Sequence, residues 1–512
     1  MTSRQIRVAC LAALVILLAR QVWLYGDIAW AAVNYPYELD YGEGIVWQQA
    51  ALMFTPAAYG DIGTFPMIVF HYTPLFHATA RLVAAASHGD LLISGRIVSI
   101  ISTIGCGVAV AALVDLASER HQPRSSRVLV AFASAATVAC LKQIVLWSLL
   151  MRVDMLAHVL SLMGLWFGIR AFRDPSQIYV ASVCFLCAVF TKQNAIAAPA
   201  ALFASALVLQ PRLAARGLAF CLVGGAATLA FLSHATDGRI LRHVFLYNIN
   251  RVEFSQLNIV IQIAAQDVEL VIAAAIGAVL LAAPLRKELR LRKWETARQL
   301  IRHDEKLTSA MVALLYAGIT TVMLVGIVKV GATINYSIEW LFSLCILAGA
   351  SLSMLVRGLG QSVISGASVA ALNPRALYGP LLIAGQAAAF VPFNAAALGE
   401  PHQRRELQSI VGRIARASKP VVSDDMVLVM RAGKRVEIEP AIAAELGSVG
   451  VWDERPYVKR IMRGDFAMFI TEGERGDREF DLRYNPSVAD AMAKAYPVTE
   501  YVGGYAIHLP VR

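Results

Sequence analysis

Charge is scarce in this 512-residue sequence: 16% of residues are Asp, Glu, Lys or Arg, against 57% hydrophobic. That balance, with a mean hydropathy of +0.58, excludes an ordinary soluble chain. Apolar runs close to the ~20 residues that cross a bilayer recur until about Leu398. Cysteine is scarce too. All seven (Cys10, Cys106, Cys140, Cys184, Cys187, Cys221 and Cys345) lie in apolar runs and none follows Leu398, so the C-terminal part folds without disulfides. Cys184 and Cys187 have CxxC spacing, but cysteines in the middle of a span are small packing residues, and neither metal nor redox use is expected of them. Repeats and low-complexity tracts are absent. So is an Asp-x-Asp motif, which leaves no specific sequence argument for a divalent cation, although the acids described below leave room for one.

What is present is a pattern of apolar runs separated by basic loops. The net charge of +10 could suit nucleic acid. The Lys and Arg sit between spans, however, where the positive-inside effect accounts for them, and the bilayer is the partner they imply. The stretch Arg286 to Lys306 holds eight Lys/Arg against four Asp/Glu and is placed inside, as is the stretch with Arg120, Arg124 and Arg127. Parity then gives about eleven spans: 6–25, 91–116, 128–149, 155–170, 176–191, 194–210, 217–233, 267–283, 308–328, 338–357 and 377–398. It requires 72–88, a weakly apolar amphipathic segment, to lie on the membrane rather than cross it. The N-terminus could also be read as a signal peptide, with Ala29-Trp30-Ala31 as a faint cleavage site. An uncleaved first helix starting in the cytoplasm is the preferred reading.

The fold class expected is therefore a mainly α polytopic membrane protein with a small C-terminal α/β domain. The membrane domain covers 1–398, with an outer loop at 26–90, and the second domain covers 399–512 on the far side of the membrane. In that domain Arg404–Ala417 and Pro486–Tyr496 have helical period, whereas Val421–Met430 and Phe466–Thr471 look like strands. No catalytic signature is visible there. Packing on the membrane domain, or handling of substrate, is its expected role.

The chain is organised around Pro36 to Trp47, PYELDYGEGIVW, just past the first run. It carries Glu38, Asp40 and Glu43, with Gly42 and Gly44 allowing a sharp turn. A solvated loop capped by an interfacial helix is the plain reading. Topology gathers further polar groups on the same side: Asp154, Lys192, Arg242, His243, Asn335 and Glu339. Singly, Asp154 could cap the next helix with Arg152 as partner, Lys192 could snorkel, and Glu339 could cap. Together they suggest one site at a membrane interface.

At these positions the sequence resembles the GT-C glycosyltransferases, in the branch of protein O-mannosyltransferases and lipid A aminoarabinose transferases. The resemblance rests on the order of elements over roughly residues 1–400. Asp40-Tyr-Gly-Glu43 stands where the family has an acidic pair after the first span. Tyr72-Thr-Pro74-Leu75, Arg152-Val-Asp154, Thr191-Lys192-Gln193 and Gly331-x-x-x-Asn335-Tyr336-x-x-Glu339 follow in order. In the family the two acids are usually adjacent, whereas here two residues intervene.

The resemblance implies a GT-C-like fold and transfer of a sugar from a polyprenyl-phosphate donor to a lipid, glycan or protein acceptor. It implies Asp40 as general base and Glu43 and Asp154 as further catalytic acids. Lys192, Arg242 and His243 would face the departing phosphate, with Tyr72, Asn335, Tyr336 and Glu339 lining the donor site. The outer face of a bacterial inner membrane is the expected location. A transporter or flippase of lipid-linked glycans is the main rival, since its composition would be similar. Transporters tend to place ionisable groups at mid-membrane within internal repeats, and neither feature is seen here. A scaffold whose C-terminal part binds a partner would leave the outer acids without a purpose.

Overall fold

The computed structural model describes residues 3–118, 123–248, 251–329, 331–364, 377–390 and 400–511. Arg120, the domain boundary near Gly399 and the end of the eleventh run lie outside the described residues. Each of the eleven runs is mainly helical at its described positions. They are α1 (Ser3–Val33) and, after the short helices α2 (Gly42–Leu52) and α3 (Leu75–Ser87), α4 (Leu91–Leu116). Then come α5 (Arg124–Thr137) with α6 (Lys142–Ser148), α7 (Asp154–Arg170), α8 (Gln177–Thr191), α9 (Ala197–Leu209) and α10 (Pro211–Ala235). The bundle is completed by the helices Val268–Leu291, Glu305–Met323, Ile338–Ile364 and Tyr378–Ala389.

Six helices among the described residues are long and apolar enough to cross a bilayer, or seven if the bent pair α5–α6 is one span. Helices α8 and α9 are equally apolar but shorter. Helix α10 turns much of its apolar surface outward, with Leu222, Val223 and Phe231 each about 70% exposed. Exposed leucine and phenylalanine in such number need hydrocarbon around them, not water.

Several boundaries move. Helix α1 continues to Val33, so Ala29-Trp30-Ala31 is helical and the loop opens at Asn34 rather than at 26. The third span bends by 76° between Arg124–Cys140 and Lys142–Ser148. The basic 286–306 stretch is largely helical: one bundle helix runs on to Leu291, and Trp294–His303 is a further amphipathic turn of chain. At 13 residues α3 is too short to cross a ~30 Å hydrocarbon core.

The C-terminal domain carries a four-stranded sheet in the order β1-β2-β4-β3. Its strands are β1 (Val421–Ser423), β2 (Met468–Thr471), β3 (Val498–Val502) and β4 (Tyr505–Leu509). Strands β1 and β2 are parallel, and the other pairs are antiparallel. Gly503 and Gly504, both at positive φ (61° and 86°), make the two-residue β3–β4 turn that only glycine adopts without strain. The predicted helices are found at Pro401–Arg416 and Pro486–Ala495.

The strand expected over Val421–Met430 stops at Ser423, and Met426–Arg431 is a buried helix. Asp425 causes the change, because its side chain accepts a hydrogen bond from Leu428 N–H and caps a new helix. The apolar run alone cannot show that, since strand and buried helix look alike over five residues.

This domain is not packed by itself. Ile62, Met67 and Val69 of the outer loop share a core with Val422, Ile438, Trp452 and Phe469. Tyr35 and Tyr37 pack with Leu407, Ile410 and Ile414. Met67 pairs with Ile438 in a parallel bridge, and the Trp452 indole donates to the Ile62 carbonyl at 3.0 Å. The outer loop is thus clamped between the bundle and the C-terminal domain.

Candidate active site

Glu43 sets the shape of the loop. It is fully buried and accepts four hydrogen bonds: from Arg96 Nε and Nη2 (2.8 and 2.6 Å) and from the N–H groups of Leu39 and Met151 (both 2.8 Å). Arg96, buried on α4, spends its other N–H groups on the carbonyls of Ala32, Tyr35 and Tyr37. One buried ion pair therefore ties together the end of α1, the loop, α4 and the turn before α7. A carboxylate with all its acceptor sites used has no capacity left for a proton in transit.

The next residues back along the chain face a cavity. Asp40, half-buried, accepts from Gly42 N–H at 3.0 Å and lies 3.5 Å from Arg152 Nη2. Gly42 makes that approach feasible, because a Cβ there would meet Arg152 Nη1 at 1.4 Å. Arg152 also stacks over the Trp147 indole at 4.9 Å.

Asp154 is a second hub, buried behind Lys192 and Asn335. Its Oδ1 accepts from Lys192 Nζ at 2.5 Å and from Asn335 Nδ2 at 3.1 Å, and its Oδ2 from Trp147 Nε1 at 2.8 Å. Four segments of chain meet in those three bonds. The α5–α6 bend delivers Trp147, α7 begins at Asp154, α8 ends beside Lys192, and a loop supplies Asn335. Lys192 Nζ also stands over the Tyr336 ring at 5.3 Å.

Asp40, Arg152, Lys192, Asn335 and Tyr336 line a polar cavity of about 730 Å³, together with His71, Tyr72 and Lys329. A smaller chamber of about 310 Å³ shares Lys192, Asn335, Tyr336 and Lys329 and adds His158 and Glu339. Glu339 accepts from Tyr316 Oη at 3.3 Å. Lys329 is held by Asn248, through the backbone carbonyl and Oδ1 at 2.7 Å each, rather than by an acid. Burial lowers its ammonium below the usual lysine range, with Glu445 opposing the shift.

Beside the polar cavity runs an apolar groove of about 520 Å³ between α8, α9, α10 and residues 240–245, with Leu186, Phe190, Ile196, Leu229 and Phe245 on its walls. Gln193, the neighbour of Lys192, borders both spaces.

Asp40, Tyr72, Lys192, Asn335 and Tyr336 thus come together around one cavity, with Asp154 behind them and Glu339 in the adjoining chamber. Glu43 lies behind the loop rather than in the cavity wall. The Arg242/His243 pair stands elsewhere. Arg242 is exposed and borders neither polar space. His243 is buried, accepts from Phe70 N–H at Nδ1 (3.0 Å) and donates from Nε2 to the Gly60 carbonyl (2.7 Å). Burial lowers its imidazole to about 4, with the Gly60 bond opposing, so it is neutral at pH 7 and cannot act as a phosphate cation. It holds the outer loop instead.

Sequence reasoning did not single out Lys329, Arg152 as a cavity cation, or the residues that the C-terminal domain brings to the cavity. Lys329-Val-Gly marked only the exit of a span, whereas Glu439, Glu445, Arg478 and Arg483 carry no local signal of a site at all. Among the described residues no three His, Cys, Asp or Glu side chains gather as a cation site.

No protein-family model matches the sequence. No curated protein matches it either. Solved structures do. The crystal structure of ArnT from Cupriavidus metallidurans bound to undecaprenyl phosphate aligns with a TM-score of 0.55 at 15% identity, over 96% of this chain and 98% of that one. The Archaeoglobus fulgidus oligosaccharyltransferase in its apo form aligns with a TM-score of 0.51 at 12% identity, over 95% of this chain and 72% of that one. At such identities the likeness is one of fold. The chain is thus a multi-pass membrane protein with the GT-C-like fold that its order of motifs implied.

Proposed function

We propose that this chain is a glycosyltransferase that moves a hexosyl or pentosyl unit from a polyprenyl-phosphate carrier to a lipid, glycan or protein acceptor. The observation that carries this reading is the junction at Gln193, where the apolar groove opens beside a cavity holding Lys192, Arg152 and Lys329. A polyprenyl phosphate is a long apolar chain ending in a compact anion. The groove suits the chain and the three cations suit the anion. Lys329 is held by the Asn248 amide rather than by a carboxylate, so no acid in hydrogen-bond contact offsets its charge. The likeness to ArnT bound to undecaprenyl phosphate supports the same assignment.

The step balances with the groups at hand. The acceptor O–H attacks the anomeric carbon from the face opposite the phosphate while Asp40 takes its proton. The bond from that carbon to the phosphate oxygen breaks, and its electron pair leaves with the phosphate, where the cations stabilise it. One displacement inverts the anomeric centre. Asp154 positions Lys192 and Asn335, and Glu43 holds the loop that carries Asp40. On this reading the positive-inside rule puts the N-terminus in the cytoplasm and the C-terminal domain on the outer face, which we assign to a bacterial inner membrane.

The test uses purified protein in detergent with polyprenyl-phosphate sugars and membrane-derived acceptors. Asp40→Asn should lower release of free polyprenyl phosphate by ~10²–10⁴-fold while binding of undecaprenyl phosphate persists. Wild-type protein that releases none, yet moves lipid-linked sugar across sealed vesicles, would be a transporter.

A further inference from the structure

Glu439 belongs to the C-terminal domain, far in sequence from Asp40, Arg152, Lys192 and Lys329. It immediately precedes the helix Pro440–Ser448 and follows Ile438, whose bridge to Met67 pins it against the outer loop. It borders the polar cavity and is fully buried. Neither of its carboxyl oxygens has a hydrogen-bond partner. Among the described residues no other acid has both carboxyl oxygens buried without a partner, and Glu43 is engaged by four N–H groups, Asp154 by three, and Asp424 by Tyr484 and Arg483.

Two unsatisfied oxygens on one buried carboxyl are a costly arrangement, and a folded chain has little reason to keep it unless a ligand supplies the missing donors. Burial pushes this carboxyl well above the usual range, with Arg152 opposing the shift. A group of that kind can both donate and accept.

Its surroundings say which part of a substrate it meets. The phenol of Tyr41, the residue next to Asp40, accepts from Ala441 N–H at 3.2 Å, so Glu439 stands close to the Asp40–Arg152 pair. Arg483 covers the Tyr41 ring at 4.2 Å and closes that side. In a carrier bound with its phosphate at the cations, the glycosyl ring is one bond from the phosphate. It must occupy this part of the cavity.

We propose that Glu439 is a substrate-contacting residue supplied by the C-terminal domain, whose carboxyl takes hydroxyl groups of the transferred glycosyl ring. A ring with neighbouring hydroxyls can donate to and accept from both oxygens at once, whereas the phosphate offers acceptors only and the prenyl chain offers nothing. The proposal rests on the carrier reading above and assigns the C-terminal domain a share in sugar selection.

The test measures dissociation constants in detergent for undecaprenyl phosphate and for undecaprenyl-phosphoryl glucose, mannose, galactose and arabinose. Wild-type protein should bind at least one sugar-bearing lipid more tightly than undecaprenyl phosphate. Glu439→Gln should weaken that lipid about tenfold, the value of one hydrogen bond to a charged or acidic group. Its affinity for undecaprenyl phosphate should stay within about twofold. Glu439→Ala should erase the discrimination altogether, and melting temperatures identify any variant that fails to fold.

Equal weakening of all lipids would make Glu439 merely structural and overturn the proposal. So would wild-type protein that binds no sugar-bearing lipid better than undecaprenyl phosphate, or a Glu439→Gln variant that keeps full discrimination. Wild-type protein that does not bind undecaprenyl phosphate would defeat the carrier reading and this proposal together.

Discussion

Lys192 Nζ lies 2.5 Å from Asp154 Oδ1, with both side chains buried, at the point where four segments of the bundle converge. A buried pair of this kind costs more to break than to keep, because the survivor is left as an uncompensated charge. Asp154→Ala and Lys192→Ala are each expected to destabilise the protein by about 3–5 kcal/mol. The double variant Asp154→Asn/Lys192→Met should recover much of that loss yet remain inactive. Thermal unfolding in detergent beside turnover separates the two effects. Single variants with wild-type melting temperatures would show that the pair carries no structural burden.

Gly42 leaves no room for a side chain, because a Cβ would meet Arg152 Nη1 at 1.4 Å. Gly42→Ala therefore forces the guanidinium away from Asp40. Turnover should fall about 10²-fold, as displacement of a reacting group by an ångström commonly does. Binding of undecaprenyl phosphate should fall less, since Lys192 and Lys329 are untouched. An unchanged rate would remove the Asp40–Arg152 contact from the mechanism.

Glu43 and Arg96 form the second buried pair, at 2.6 Å. Glu43→Ala leaves Arg96 against three carbonyls with no counter-charge, and about 3–5 kcal/mol of stability should be lost. The melting temperature is the readout that matters. Loss of turnover with the melting temperature intact would instead place Glu43 in the chemistry.

Glu38 and Asp425 meet where the loop docks on the C-terminal domain. Burial raises both carboxyls, Asp425 to about 6 from an ordinary 3.8. Glu472 and Tyr505 stand near both, and Glu43 near Glu38. An acid whose folded pKa is raised stabilises the fold while protonated. That contribution is complete below pH 3.8 and is lost as pH rises through 6. The melting temperature should thus fall from pH 4.5 to 7.5 more steeply in wild type than in Glu38→Gln, which cannot ionise there. Parallel pH profiles would show that the pair is not coupled to docking.

The membrane class, the eleven apolar runs and the acidic loop were legible in the residues themselves. Hydrophobicity summed over a span is a local quantity, and it does not depend on what the span packs against. The same holds for Asp40, Asp154, Lys192 and Asn335, which adjoin span ends, so parity alone brings them to one side. Their division of labour was not legible. Glu43 and Asp40 are three residues apart, yet Arg96, 53 residues further on, takes the first out of the cavity and leaves the second facing it. His243 read as a cation because its formula permits one, whereas burial and two backbone partners hold it neutral. Glu439 could not be found from the sequence, for nothing about an acid before a proline says what it borders. Only the docking of Ile438 on Met67 carries it to the cavity, and that docking depends on cores shared by segments hundreds of residues apart, which no local pattern records.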